Sequence, residues 1–201
     1  MKRMIFMAVV LAFVVGLPAL IAHQVSKMFR RKADVLQACT LPKGEYFHRV
    51  NGGAWELIPN MIVTEGLAHI LNVALGSTAK PAGYYLALFS GATAPASNWT
   101  ASNFASVASE IVSMTEGYTS ATRPAWSPTN TATGSIDNMT TVASVTIATA
   151  TALNVTGAAL LTNSARGGTT GVLVSATKYA ATRVFQNGDI YEIGYRLSLT
   201  V

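Results

Sequence analysis

The last eleven residues of the chain alternate with period two. Tyr191, Ile193, Tyr195, Leu197, Leu199 and Val201 fall on one side, and Glu192, Gly194, Arg196, Ser198 and Thr200 on the other. A helix would scatter residues at that spacing around its axis, whereas a strand gathers them on one face. The same alternation runs through Val145, Ile147, Thr149, Thr151, Leu153 and Val155, with Thr146, Ala148, Ala150 and Ala152 between them. Thr and Val dominate both stretches, as pleated half-buried surfaces favour. A chain carrying two such segments is committed to a sheet with a buried face, because a one-residue slip would turn every apolar side chain outward.

The rest of the body reads the same way. Glu45–Val50 and Trp55–Ile58 flank Asn51-Gly52-Gly53, a hairpin signal. Thr64 suits the N-cap of a helix over Glu65–Leu75 that Gly76 ends, with Leu67, Ile70, Leu71 and Ala74 along one face. Gly83–Ser90 (GYYLALFS) reads as a buried strand. Residues 91–140 are loop-rich, with a helical turn near Ser102–Ser109 and with Trp99, Phe104, Tyr118 and Trp126 as aromatic anchors against the body. Gly171–Tyr179 and Ala181–Phe185 read as strands, and Asn187-Gly188 turns the chain into the last one. About eight strands with loop-rich connections and one short helix predict a mainly β fold, an antiparallel β-sandwich or jelly-roll-like domain. Leu67, Ile70, Leu71, Tyr85, Leu86, Leu88, Phe89, Tyr195 and Leu197 are its expected core or subunit-contact residues.

Ahead of that body lies a different kind of sequence. Met4–Ala22 is a run of 19 residues without a charge or an amide. At 1.5 Å per residue it is just long enough to cross a hydrocarbon core of about 30 Å. As a signal peptide it would be cut after Ala22, which puts Leu20 where a small residue is preferred. As an uncleaved anchor it would keep Arg30-Arg31-Lys32 in the cytoplasm. As a long helix enclosed by protein it would bundle several N-termini, since an apolar helix without a polar stripe must be covered. In that last arrangement Val10, Phe13, Val14, Leu17 and Leu20 are the assembly and anchor residues. Residues 23–43 continue as a helical link to about Ala38 and stop at Leu41-Pro42-Lys43-Gly44. Cys39 before that stop reads as a small buried hydrophobe. The chain therefore divides into an apolar and basic anchor with its link, residues 1–43, and a β-rich body, residues 44–201.

Charge follows the same division. The 14 basic and 9 acidic residues give +5 overall, but residues 1–32 hold six cations and no acid, leaving the body at −1. A basic face for nucleic acid is not expected on such a body. His23, His48 and His69 lack partners at metal-ligand spacing, so no metal or other cofactor is expected. The acids are scattered, Arg166-Gly167-Gly168 lacks the strand–helix context of a phosphate loop, and no G-x-S-x-G surrounds Ser90. With so little material for acid–base work, an enzyme is not expected. Asn98, Asn138 and Asn154 begin N-x-T triplets, a pattern frequent by chance in chains rich in Asn and Thr.

The segment Asn60–Gly91, NMIVTEGLAHILNVALGSTAKPAGYYLALFSG, resembles small virion structural proteins of tailed bacteriophages. The likeness rests on Glu65-Gly66-Leu67, Ile70-Leu71-Asn72 and the strand Tyr84-Tyr85-Leu86-Ala87-Leu88-Phe89. Further on, Glu116-Gly117-Tyr118, Thr122-Arg123-Pro124-Ala125-Trp126, Gly167–Leu173 and the alternating last strand fit it too, so it spans about residues 58–201. The resemblance implies a virion component of the head-decorating, tail-fibre or tail-associated type, with no active site. It also implies partners among copies of the chain itself, a trimer by preference, and among other virion proteins. Residues 1–43 have no counterpart in the usual short form. The alternative is a single-span membrane-anchored, extracytoplasmic β domain of adhesin type, held through residues 4–22.

Overall fold

The computed structural model describes residues 42–199. The run 4–22 with Val10, Phe13, Val14, Leu17 and Leu20, and most of the link with Cys39, lie outside the described residues. In chain order the elements are β1 (Pro42–Val50), β2 (Glu56–Pro59), β3 (Met61–Ile62), α1 (Thr64–Ala74), β4 (Tyr84–Phe89) and α2 (Ala101–Val107). They continue with β5 (Gly117–Tyr118), β6 (Ala125–Trp126), β7 (Ser135–Asp137), β8 (Ala143–Ala148), β9 (Leu153–Leu161), β10 (Leu173–Phe185) and β11 (Ile190–Leu199). The fold is mainly β, as expected, in two antiparallel sheets. One has the order β2-β1-β11-β8-β5, with β7 also paired to β11; the other has the order β3-β10-β9-β4-β6.

The alternation in the last strand has the expected consequence at Tyr191, Ile193 and Tyr195, while Leu197 is half-buried and Leu199 exposed. Tyr191, Ile193 and Tyr195 are buried in the common core with Tyr46, Val145, Ile147, Val155, Leu86, Leu88 and Leu160, drawn from both sheets. The alternating side chains of β4, Ala87 and Phe89, face a second cluster with Trp99, Phe104, Leu161, Leu173 and Ala176. Packing on both faces explains why β4 reads as an unbroken apolar run. All four expected anchors, Trp99, Phe104, Tyr118 and Trp126, are buried. The β1–β2 hairpin turns where Asn51 (φ 48°) and Gly52 (φ 70°) are both left-handed and Gly53 N–H donates to Val50 O at 2.9 Å. That is the turn which matches strand twist.

Four expectations need correction. β1 begins at Pro42, opposite Leu199, where a stop over Leu41–Gly44 and a strand only from Glu45 were expected; Pro is tolerated at a strand's first position. The alternating stretch 145–155 is two strands in different sheets, β8 and β9, joined by a corner at 149–152. The phase survives the corner because Val145, Ile147, Leu153 and Val155 all reach the same core. The Glu116 carboxylate pins that corner, accepting from Thr149 Oγ1 at 2.8 Å and Ala150 N–H at 3.1 Å. Gly171–Phe185 forms one strand from Leu173, and the break expected at Ala180 is a register shift against β9 between Lys178 and Arg183.

The fourth correction concerns α1. Thr64 is its first helical residue, Val63 precedes it without a side-chain cap, and Thr64 N–H donates to Ser97 O. Gly66 and His69 are buried, while Leu67 is 39% exposed, Leu71 59% and Leu75 85%. Leu67 and Leu71 are thus turned away from the sheet they were expected to cover. The cause is Gly66: a Cβ there would overlap the Val174 carbonyl of β10. The missing side chain lets the helix backbone settle on the strand through that position.

Candidate functional site

The groove beside α1 is built from both sheets and the helix. Ile70, Val73 and Ala74 form its helical wall, and Pro81, Tyr84, Trp126, Ile136 and Leu197 complete most of its apolar lining, around a volume of about 500 Å³. Its walls are held in place by internal hydrogen bonds. Trp126 Nε1–H donates to Tyr195 O at 2.8 Å, and His69 Nε2 lies 3.0 Å from the Tyr84 hydroxyl. Burial lowers the His69 pKa and raises that of Tyr84, so both side chains are neutral near pH 7. Among the described residues, Lys80 is the one charged residue lining the groove.

The helix itself is clamped at its start. Glu65 Oε2 accepts from Ala101 N–H at 2.8 Å, the first residue of α2, and from Leu173 N–H at 2.7 Å, the first residue of β10. A carboxylate at that helix start also complements its dipole. Glu65 and Gly66 therefore fix the position and rotation of α1, which leaves Leu67 and Leu71, one turn apart on the helix, exposed together with Leu75 at its C-cap. Three exposed leucines, two on one short helix and one at its C-cap, suit binding better than solvent.

A second groove, of about 450 Å³, is polar. Glu45, Thr131, Thr133, Asp137, Arg196 and Ser198 are among its lining residues. Its carboxylates are matched by cations: Arg196 Nε is 2.9 Å from Asp137, and Lys43 Nζ is 2.8 Å from Glu45. Neither groove sets a nucleophile against a base. Among the described residues no group of three or more His, Cys, Asp or Glu side chains is placed to hold a metal ion.

The residues that carry the phage resemblance divide by role. Glu65 and Gly66 position α1, while Leu67, Ile70 and Leu71 form its ridge and groove wall. Tyr118, Arg123 and Trp126 are interior. Arg123 is paired with Glu110 and Arg166 stacks on Tyr118 at 3.7 Å, so these cations serve the fold. Burial pushes the Tyr118 hydroxyl up to about 12, although Arg166 pulls the other way. Asn138 is fully buried, with its Nδ2 donating to Thr141 O, which leaves it inaccessible as a glycosylation acceptor. Of the expected core set, Leu86, Leu88, Phe89 and Tyr195 are buried, Ile70, Tyr85 and Leu197 are half-buried, and Leu67 and Leu71 are exposed. The ridge and the Glu65 clamp were not read as a site; the signal was present in leucines spaced by four on a helix whose glycine takes the inner side.

Among the described residues no helix is long and apolar enough to cross a membrane. No protein-family model and no curated protein sequence matches the chain.

Proposed function

We propose that the chain is a structural protein of a bacteriophage virion, a displayed β domain of a decoration, fibre or tail-associated component that works by assembly. The observation that carries this reading is the use made of Glu65-Gly66-Leu67 and the following helix. They are the core of the sequence resemblance, and in three dimensions they present an uncharged ridge and an apolar groove to the outside. Large apolar contacts supply association energy in protein assemblies. Residues 44–201 provide the displayed domain, of sandwich or jelly-roll type. The run Met4–Ala22 anchors it as an apolar helix, with Val10, Phe13, Val14, Leu17 and Leu20 at the contact, in a homo-oligomer, preferably a trimer.

Mass spectrometry of purified virions is the test. The chain should be present at a copy number that is a multiple of a symmetric oligomer, and its absence from particles would end the reading. A second reading rests on the same apolar run: a bitopic membrane protein whose β domain lies outside the cytoplasm. After gentle disruption of cells or particles, a need for detergent to release the chain would favour that alternative.

A further inference from the structure

The polar groove is floored by three adjacent strands of one sheet. Glu45 of β1 stands opposite Arg196 of β11, and Arg196 opposite Asp137 of β7, so a row of acceptor, donor and acceptor crosses the sheet. The next row on the same face is Lys43, Ser198 and Ser135. Residues of the loop before β7, Thr131 and Thr133 among them, form the wall. Floor and wall are set in advance. Arg196 Nε donates to Asp137 Oδ2 at 2.9 Å, and Met139 N–H donates to Asp137 Oδ1 at 3.0 Å. The Ser135 and Ser198 hydroxyls meet at 2.9 Å, and Thr131 Oγ1 accepts from Thr133 N–H at 3.0 Å. Polar side chains already ordered in this way lose little freedom when a ligand binds.

We propose that this groove binds a short neutral saccharide. The proposal goes beyond the assembly reading above and does not depend on it. A volume of about 450 Å³ lies within the range of small-molecule sites, about 300–1,000 Å³. Such sites are mostly apolar, whereas nine of the ten described lining residues here are polar or charged, so an apolar ligand finds little surface to bury against. An anion meets two carboxylates for one guanidinium on the floor, and a cation meets that guanidinium between the carboxylates. A peptide backbone seeks a strand edge, and this row lies on a sheet face. What suits the row is an uncharged group that both donates and accepts, which is a hydroxyl. Arg196 uses Nε on Asp137, and Lys43 takes Glu45 Oε1. The Arg196 Nη groups are left to donate and Glu45 Oε2 to accept, a pair that two neighbouring sugar hydroxyls match. About 7 Å further along the same face of β1, Phe47 packs edge to face with Trp55 at 5.6 Å, and Trp55 is half-buried. Its open part offers apolar surface to the C–H side of a further sugar ring.

The test is saturation-transfer NMR on the full chain with trisaccharides of glucose, galactose, rhamnose and N-acetylglucosamine. Trigalacturonate and a Ser/Thr hexapeptide are run alongside. A dissociation constant on the order of 1 mM suits a small, wet site, and the method reads that range. At least one neutral trisaccharide should receive saturation. Arg196→Gln should weaken its binding about tenfold or more, the loss expected with a charge-assisted hydrogen bond. Thr131→Trp, on the exposed loop, should block the groove without touching the strands, and it keeps the test open if Arg196→Gln disturbs the sheet. Thermal melts of both variants check that they fold. If no neutral sugar is saturated, the proposal fails. It fails equally if both folded variants bind as the wild type does. Signal from trigalacturonate or the peptide alone would overturn it as well, marking an anion or peptide site instead.

Discussion

Arg123 and Glu110 meet in the interior with their charged ends fully matched: Nε and Nη2 each donate to a different carboxylate oxygen at 2.7 Å, and neither side chain reaches solvent. The pair is a hub for loops that no sheet organises. Arg123 Nη1 also donates to Asn163 O at 2.8 Å, and Gly167 N–H donates to Glu110 Oε2 at 2.9 Å. Nearby, Arg166 donates to the carbonyls of Ile111, Ser113, Tyr118 and Ser120. Two arginines thus hold the segment after α2, the approach to β6 and the β9–β10 loop together.

Removing one partner of that pair should be severe. Arg123→Ala leaves the Glu110 carboxylate buried and uncompensated, which costs about 3–5 kcal/mol. For a domain of this size that is roughly 10 °C in Tm. Replacing both, as Arg123→Met with Glu110→Leu, should recover much of the loss, because no lone charge remains buried. Thermal melts of the three proteins check this. A single variant that melts with the wild type would show that the pair is not buried as described.

His48 gives the fold a pH dependence of known sign. Its ring stacks on Tyr179 with centroids 4.7 Å apart, is 1% exposed, and among the described residues has no hydrogen-bond partner at either nitrogen. Burial lowers its pKa from 6.5 to about 4, and Arg183 adds to this while Glu56 opposes it. The folded state therefore binds fewer protons than the unfolded one. Stability is complete above pH 6.5 and declines as the pH falls toward 4, by about 3 kcal/mol at 1.4 kcal/mol per pH unit. His69 is lowered in the same direction and adds to the trend. Denaturant melts at pH 7.5 and 5.5 should differ for the wild type, and His48→Phe, which keeps an aromatic ring on Tyr179, should narrow the difference. An unchanged difference would assign the effect to other groups.

Gly66→Ala isolates the residue that sets the rotation of α1. Alanine favours a helix by about 1 kcal/mol over glycine. Here its Cβ would overlap the Val174 carbonyl, a backbone atom that cannot swing aside. The helix must lift, which weakens the Glu65 bonds to Ala101 and Leu173. A net loss of about 1–3 kcal/mol is expected in chemical denaturation. A stabilised protein would mean that helix propensity outweighs the contact.

What could be read in the sequence, and what could not, follows from the range of the forces involved. The last strand was legible because its face packs one way along Tyr191, Ile193 and Tyr195, so the alternation is the burial. The hairpin at Asn51-Gly52 was legible because its left-handed angles demand those residues. The corner between β8 and β9 was not, because side chains on both sides of it enter one core and the alternation passes through unbroken. The rotation of α1 was hidden for a similar reason. Leucine periodicity marks an apolar face, but the place where a helix touches its sheet is decided by a distant carbonyl at Val174. Glu110 and Arg123 look like solvated charges in the sequence, and only the fold shows them paired. β5, β6 and β7 are two or three residues long, too short to carry a period.

The N-terminal run offers the remaining prediction, on the proposal that Met4–Ala22 anchors the chain in a particle. Its 19 residues contain no group able to pair with a carboxylate. Val10→Asp with Phe13→Asp would place two acids where no partner charge exists within the run. Enclosed in lipid, each acid costs about 2.5–3.5 kcal/mol at the centre of a helix. Enclosed in protein, an unpaired charge shifts its protonation or stays out of contact. Either way the anchor weakens while the body keeps its own core, so the double variant should melt like the wild type yet be lost from purified particles. Wild-type copy number in the particles would reject the anchor. N-terminal sequencing of the mature protein that begins near His23 would reject it too, because the run would then have been removed as a signal peptide.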